Sequence, residues 1–175
     1  HYYSDISYPV ILPIIFKKQP RTIVDIGTNT GKFAVLLAKY DAAIQIIMID
    51  LPDQLAIARE NAVSEGVADR VEAIAMDLLD AENQFPRNRD VYWISQFLSC
   101  FGQEEIISIL QRVCDAMNQN SRLYIMETCW DRQQHEAAAF SLINTSPYFT
   151  CIANGNSKMY HSEELLHCVA QAGLE

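Results

Sequence analysis

The sequence predicts an α/β fold, a doubly wound parallel sheet of five strands in the order 3-2-1-4-5 with helices on both faces. Three observations predict it. Apolar runs of strand length alternate with stretches of helical period along the 175 residues, the spacing of βαβ units. A glycine-spaced polar loop, Gly27-Thr28-Asn29-Thr30-Gly31, joins the first such run to the first helical stretch. Asp25, Asp50, Asp77, Ser95 and Gln96 fall at strand ends, on the edge where open parallel sheets bind ligands.

Residues 1–18 form an N-terminal helical segment, with Ile6, Val10, Ile11, Ile14 and Ile15 at a mostly helical spacing that Pro9 and Pro13 interrupt. One domain follows over residues 19–175, and the abrupt start at His1-Tyr2-Tyr3 fits a piece cut from a longer protein. Strand one runs from Thr22 into the loop, after which Phe33, Leu36, Leu37 and Tyr40 give the first crossover helix. Ala43 to Ile49 is a nearly continuous apolar run, suited to a strand buried on both faces, and it ends in Asp50-Leu51-Pro52. Gln54 to Gly66 is a helix with Leu55, Ala58, Ala62 and Val63 on one face and Gly66 as its stop. Arg70 to Met76 is strand three, ending at Asp77, and the polar stretch from Leu79 to Arg89 is loop. The β-branched and aromatic run Asp90 to Leu98 is strand four. The next helix opens at Gly102-Gln103-Glu104-Glu105, with Ile106, Ile107, Leu110, Val113, Cys114 and Met117 as its buried stripe. Arg122 to Thr128 is strand five, Gln133 to Leu142 a helix, and the stretch through Pro147 and Gly155 irregular. Ser162 to Ala172 is a last helix, capped by Ser162 with Glu164 near its third position.

The glycine loop is a cofactor seat. Gly27 and Gly31 reach backbone angles closed to other residues and carry no side chain to block a ligand, and Asn29 tolerates positive φ. The helix starting near Gly31 offers free N–H groups. Three residues separate Gly27 from Gly31 and Phe33 follows Lys32, so the loop has neither the spacing nor the hydroxyl of a Walker A motif, and it lacks the second and third glycines of a dinucleotide fingerprint. Asp50, a little over about 20 residues on, can accept the two ribose hydroxyls of an adenosine-bearing cofactor, or can simply cap the helix after Pro52.

A net charge of −9 argues against a nucleic-acid partner and favours a small-molecule substrate. Five cysteines, Cys100, Cys114, Cys129, Cys151 and Cys168, are odd in number and widely spaced, which reads as reduced thiols in a cytoplasmic protein and as no metal site. No apolar run is long enough to suggest a membrane span.

The motif acid-x-Gly-x-x-x-Gly at Asp25 to Gly31 resembles motif I of the class I S-adenosylmethionine-dependent methyltransferases, whose fold is Rossmann-like. With Asp50-Leu51-Pro52, Arg70-Val71-Glu72 to Asp77-Leu78, Phe97-Leu98 before Gln103-Glu104-Glu105-Ile106, and Arg122 to Glu127, the stretch from about residue 20 to 172 is similar to the catalytic domain of caffeate and hydroxyindole-type small-molecule O-methyltransferases. The resemblance implies S-adenosylmethionine as cofactor. It places Gly27, Thr28, Asn29 and Gly31 near the methionine part, Asp50 on the ribose, Leu51 and Leu78 around the adenine and Asp77 on its amine, with Asp25, Ser95 and Gln96 on the same rim. It implies O-methylation of a small, aromatic metabolite and a homodimer for the full-length protein. It also implies a C-terminal hairpin that this chain lacks, leaving strand five an edge.

The family's base is a histidine after strand four, steadied by two glutamates. By alignment those places hold Ser99, Glu127 and Met159, the last through Asn154-Gly155 and Lys158. The candidate catalytic residues are therefore Glu127, Ser99 and His161, with His135 a further base. Ser99 as a turn residue, Glu127 as a solvated edge acid and the two histidines as surface residues are the plain alternatives, and Cys129-Trp130 reads as packing. Strands four and five lack the carboxylates and Asp-Asn pair of magnesium-dependent enzymes. Rival readings are a catalytically idle cofactor-binding or dimerisation module and an NAD-dependent oxidoreductase.

Overall fold

A computed structural model describes residues 2–152 and 156–174. The helices are α1 (Tyr2–Phe16), α2 (Lys32–Tyr40), α3 (Pro52–Ser64), α4 (Gln103–Ala116), α5 (Glu136–Ile152) and α6 (Ser162–Gln171). The strands are β1 (Thr22–Ile26), β2 (Gln45–Asp50), β3 (Val71–Ala75), β4 (Val91–Ser95) and β5 (Arg122–Met126). They form a parallel sheet in the order β3-β2-β1-β4-β5, the topology the alternating pattern predicts. β1 and β2 lie inside it and their apolar residues are buried, whereas β5 at one end of the order is mostly half-exposed.

The chain divides into two compact units. One contains the chain up to Leu78 with Pro86–Trp93 and Met117–Tyr124, and the other contains Leu79–Phe85, Ile94–Ala116 and the chain from Ile125. The core of the first holds Ile23, Ile26, Leu37, Met48, Ile49 and Leu55. An aromatic row extends it, Tyr8 of α1 lying 4.8 Å from Phe33 and Phe33 stacking at 4.6 Å on Trp93. α1 runs unbroken through Pro9 and Pro13 and leaves Ile6, Val10 and Ile14 exposed along one side. The core of the second holds Leu98, Ile106, Ile109, Leu110 and Val113. There Arg112 is buried, donates to the carbonyls of Asp80 (3.2 Å) and Asn83 (3.0 Å) and lies 5.5 Å from the Phe85 ring centre, pinning the loop over 79–85 to α4.

Three boundaries depart from the sequence reading for local reasons. β4 stops at Ser95 rather than Leu98, because the N–H groups of Phe97 and Leu98 bond to the Glu127 carboxylate instead of a neighbouring strand, and Gln96 turns to φ 47°. The helix expected over 133–142 begins at Glu136 and continues to Ile152 through Pro147, the stretch read as irregular. Proline at 147 removes one helical donor; the side chains of Asn144 and Thr145 bond back to the carbonyls of Phe140 and Ser141 in the same turn. α6 is capped by His161 rather than Ser162, since Ser162 turns its hydroxyl and N–H to Asp131. The predicted Gly155 lies outside the described residues, as does Asn154.

Candidate functional site

In the first unit β1 runs into the loop with Gly27 at φ 73°, and the N–H groups of Gly27 and Thr28 both donate to the Ile49 carbonyl (2.9 and 3.2 Å). Asn29 sits at φ 53°, in the left-handed region that its side chain tolerates. Its N–H donates to Asp50 Oδ2 at 2.7 Å, while Asp50 Oδ1 accepts from the Leu51 N–H at 2.8 Å. The carboxylate at the tip of β2 therefore grips the glycine loop, and α3 starts from Leu51 with no side-chain cap, so Asp50 is not spent on capping. A carboxylate has about four acceptor sites, so two backbone bonds leave room for a ligand's hydroxyls.

Gly31 begins α2 at φ 71°. A Cβ there would stand 3.0 Å from Ala58 Cβ and 3.2 Å from Met48 Sδ, so its bareness serves the approach of α3 and β2 to the loop. Asp25 is 3% exposed, and Thr28 Oγ1 donates to its Oδ2 at 2.6 Å. Burial pushes this carboxyl up to about 7; the Thr28 bond pulls it down and the charge of Asp50 raises it further. Among the described residues no cation pairs with it, so the seat suits a ligand that brings positive charge. The pairing of β2 with β3 sets Asp50 opposite Ala75, and Met76 N donates to the Asp50 carbonyl at 3.0 Å. Asp77 and Leu78 follow directly, Asp77 exposed and Leu78 buried, and Leu51 is half-exposed beyond Asp50.

Ser95, Gln96, Ser99 and Glu127 belong to the second unit. Glu127 Oε1 accepts the N–H groups of Phe97 (2.5 Å) and Leu98 (2.7 Å). Burial pushes this carboxyl to about 7 against the pull of those two donors. Glu127 lines a cavity of about 220 Å³ together with Gln96, Ser99, Cys100, Thr128, Ser157, Lys158 and Met159. The bond from Lys158 N to the Ser99 carbonyl at 3.0 Å brings the segment before α6 to this wall. Lys158 Nζ is held by Glu164 Oε1 at 2.8 Å and lies 4.5 Å from the Tyr160 ring centre. Tyr160 donates to the Phe101 carbonyl at 2.6 Å, and burial pushes its hydroxyl up to about 12. A second, mostly apolar hollow of about 540 Å³ shares Lys158 and Met159 and adds Trp130, Ile143 and Pro147.

Neither His135 nor His161 lines either hollow, although His161 packs against Trp130 of the second. His161 Nδ1 accepts the Glu163 N–H at 3.1 Å as the cap of α6, its Nε2 stands 3.7 Å from Asp131, and its ring meets Trp130 edge-on at 4.9 Å. His135 is exposed just before α5. Lys158 and Trp130 carry no local signal that marks them as lining residues. A lone cation and an indole beside a strand end look like surface and packing until the fold brings α5 and the segment before α6 together.

A model of the O-methyltransferase domain matches residues 9–174. The O-methyltransferase fsr2 of Gibberella fujikuroi is 27% identical over 144 residues, covering 81% of this chain and 37% of that protein. The mitomycin biosynthesis 6-O-methyltransferase of Streptomyces lavendulae is 27% identical over 119 residues, covering 68% of this chain and 33% of that protein. Among solved structures, PigF with SAH superposes with a TM-score of 0.79 at 20% identity, over 98% of this chain and 51% of that one. An O-methyltransferase family 2 protein of Planctomyces limnophilus in complex with apigenin superposes with a TM-score of 0.75 at 21% identity, over 91% of this chain and 45% of that one. The chain thus spans well under half the length of these curated relatives and about half that of the structures.

Proposed function

Because the chain belongs to the O-methyltransferase domain family, we propose that the protein it comes from methylates an oxygen of a small metabolite, with aromatic hydroxyls as the acceptor class. The cofactor is S-adenosylmethionine, which when bound supplies a methyl group on a positively charged sulfur. The observation that carries the reading is the seat of the first unit, where Asp50 grips a left-handed glycine loop beside a buried Asp25 that lacks a counter-charge among the described residues. In this proposal Gly27, Thr28, Asn29 and Gly31 receive the methionine part and Asp25 answers its positive charge. Asp50 takes the ribose hydroxyls, Leu51 and Leu78 flank the adenine, and Asp77 accepts its amine.

The second unit supplies the acceptor side. Its polar cavity offers Glu127 and Ser99 to a hydroxyl, and the hollow lined by Trp130, Ile143 and Pro147 offers apolar surface to a ring. Methyl transfer from a sulfonium rests largely on alignment, so the acceptor side needs little beyond a held hydroxyl and a proton acceptor. Cytoplasmic location and homodimerisation are part of the same proposal. The odd, widely spaced cysteines support the first and the exposed row Ile6, Val10, Ile14 on α1 supports the second.

Titration calorimetry of the full-length protein with S-adenosylmethionine and its demethylated product tests the reading. Binding of both, with turnover of members of a phenol panel, is the expected result, and no heat with either ends the proposal.

A further inference from the structure

We propose that Glu127 takes the acceptor's proton itself, with no imidazole between, and that Ser99 is small so that the acceptor hydroxyl can reach it. This rests on the methyltransferase reading and assigns the base that the family resemblance leaves open, since the family's histidine position holds Ser99.

The second unit narrows the base by elimination. A serine hydroxyl accepts no proton near neutral pH without a partner base. Among the described residues no histidine lines the cavity, and the Nδ1 lone pair of His161 is already engaged by the Glu163 N–H. Lys158 is a cation held by Glu164, and the Tyr160 hydroxyl is a donor with its proton fixed on the Phe101 carbonyl. Glu127 remains. Both backbone donors sit on Oε1, which fixes the carboxylate's orientation and leaves Oε2 of this cavity-lining side chain to accept a proton. Among the described residues Lys158 and Cys100 share the cavity wall with it, and Cys129 and Asp131 follow β5; burial against the two backbone donors sets its acidity. A carboxyl brought to about 7 by burial is half ionised at neutral pH and is a stronger base than a solvated one.

The step balances. The acceptor O–H proton passes to Glu127 Oε2 as the oxygen's electron pair forms the O–CH₃ bond; the C–S bond of the donor breaks with its pair left on sulfur. The neutral carboxyl then releases its proton to water.

The test uses the full-length protein and a phenol that the wild type methylates. Glu127→Gln keeps a carbonyl for the Phe97 and Leu98 N–H groups, so fold and cofactor binding should survive. Calorimetric affinity for S-adenosylmethionine should stay within about threefold, and acceptor binding, read by quenching of Trp130, should do the same. Its kcat should fall by about 10² to 10⁴, the usual worth of a positioned base, and the acid limb of the wild-type pH profile, bending near 7, should vanish. Ser99→Leu, which fills the approach to Glu127, should raise the acceptor KM well above wild type while leaving the affinity for S-adenosylmethionine unchanged. Glu127→Gln retaining more than a third of wild-type kcat with the acid limb unchanged overturns the proposal, and so does Ser99→Leu leaving the acceptor KM unchanged. A wild type that binds neither donor nor product sinks the methyltransferase reading and this proposal together, whereas these variant results sink only this one.

Discussion

Replacing Asp25 with asparagine should make the first unit more stable at pH 8 and less able to hold its cofactor. In the folded protein burial lifts the Asp25 carboxyl from 3.8 to about 7. The folded value lies above the unfolded one, so the native state binds a proton between those values that the unfolded chain does not. Stability contributed by this group is fully present below about pH 3.8, is lost as pH rises through the window and is gone above about 7. At roughly 1.4 kcal/mol per pK unit, the swing is about 4 kcal/mol across the window.

Asparagine cannot ionise, so Asp25→Asn removes the swing. It still accepts the Thr28 hydroxyl bond through its carbonyl, but its buried amide hydrogens add a constant penalty of about 1 to 3 kcal/mol. The difference in unfolding free energy between variant and wild type should therefore move by about 4 kcal/mol in the variant's favour between pH 4 and pH 8, whatever the constant term. Urea unfolding followed by Trp93, which is buried in the same unit, reads it in a Trp130→Phe background. A difference that changes by less than about 1 kcal/mol over that range would show that Asp25 titrates like a solvated acid, and the seat would lose its electrostatic rationale.

Other expectations concern the same seat. Asp50→Ala removes a charged acceptor from the Asn29 and Leu51 N–H groups and should weaken S-adenosylmethionine binding by about 10- to 100-fold in calorimetry, the worth of about 1.5 to 3 kcal/mol. Gly31→Ala combines φ 71° with a Cβ only 3.0 Å from Ala58 Cβ, and should lower unfolding free energy by about 1 to 3 kcal/mol in denaturant titration. Cofactor binding at pH 7 should release about half a proton, since a cationic ligand favours the ionised Asp25. Calorimetry in buffers of different ionisation enthalpy reads this, and Asp25→Asn should abolish it.

Much of the fold is legible in local pattern. The continuous apolar run before Asp50 announces a strand buried on both faces, and the glycine spacing announces the left-handed turns at Gly27, Asn29 and Gly31. What escapes the pattern is non-local. Nothing near Phe97 signals that its N–H and that of Leu98 will be claimed by an acid 30 and 29 residues on, yet that claim ends β4 and fixes Glu127. Pro147 looks like a stop, but in the folded chain α5 runs through it while Asn144 and Thr145 bond back to its preceding turn. The role of Gly31 is half visible: its angle follows from the loop motif, while its contact with Ala58 depends on how α3 packs.

Asp25 and Glu127 are both brought to about 7, in different units and mainly by burial. The proposed function needs each of them ionised, Asp25 to answer a cationic donor and Glu127 to accept a proton. Stability pulls the other way, because each group favours folding when protonated and withdraws that contribution as pH rises toward 7. The alkaline side of neutrality should therefore be where turnover is highest and where the ligand-free protein is weakest, a conflict expected of buried acids that must ionise to act. Cofactor binding relieves half of it: positive charge beside Asp25 stabilises the ionised form, so the donor complex should lose less stability than the free protein between about pH 6 and about pH 8. Equal losses with and without S-adenosylmethionine would mean that Asp25 does not meet the donor's charge, whatever else holds the ligand.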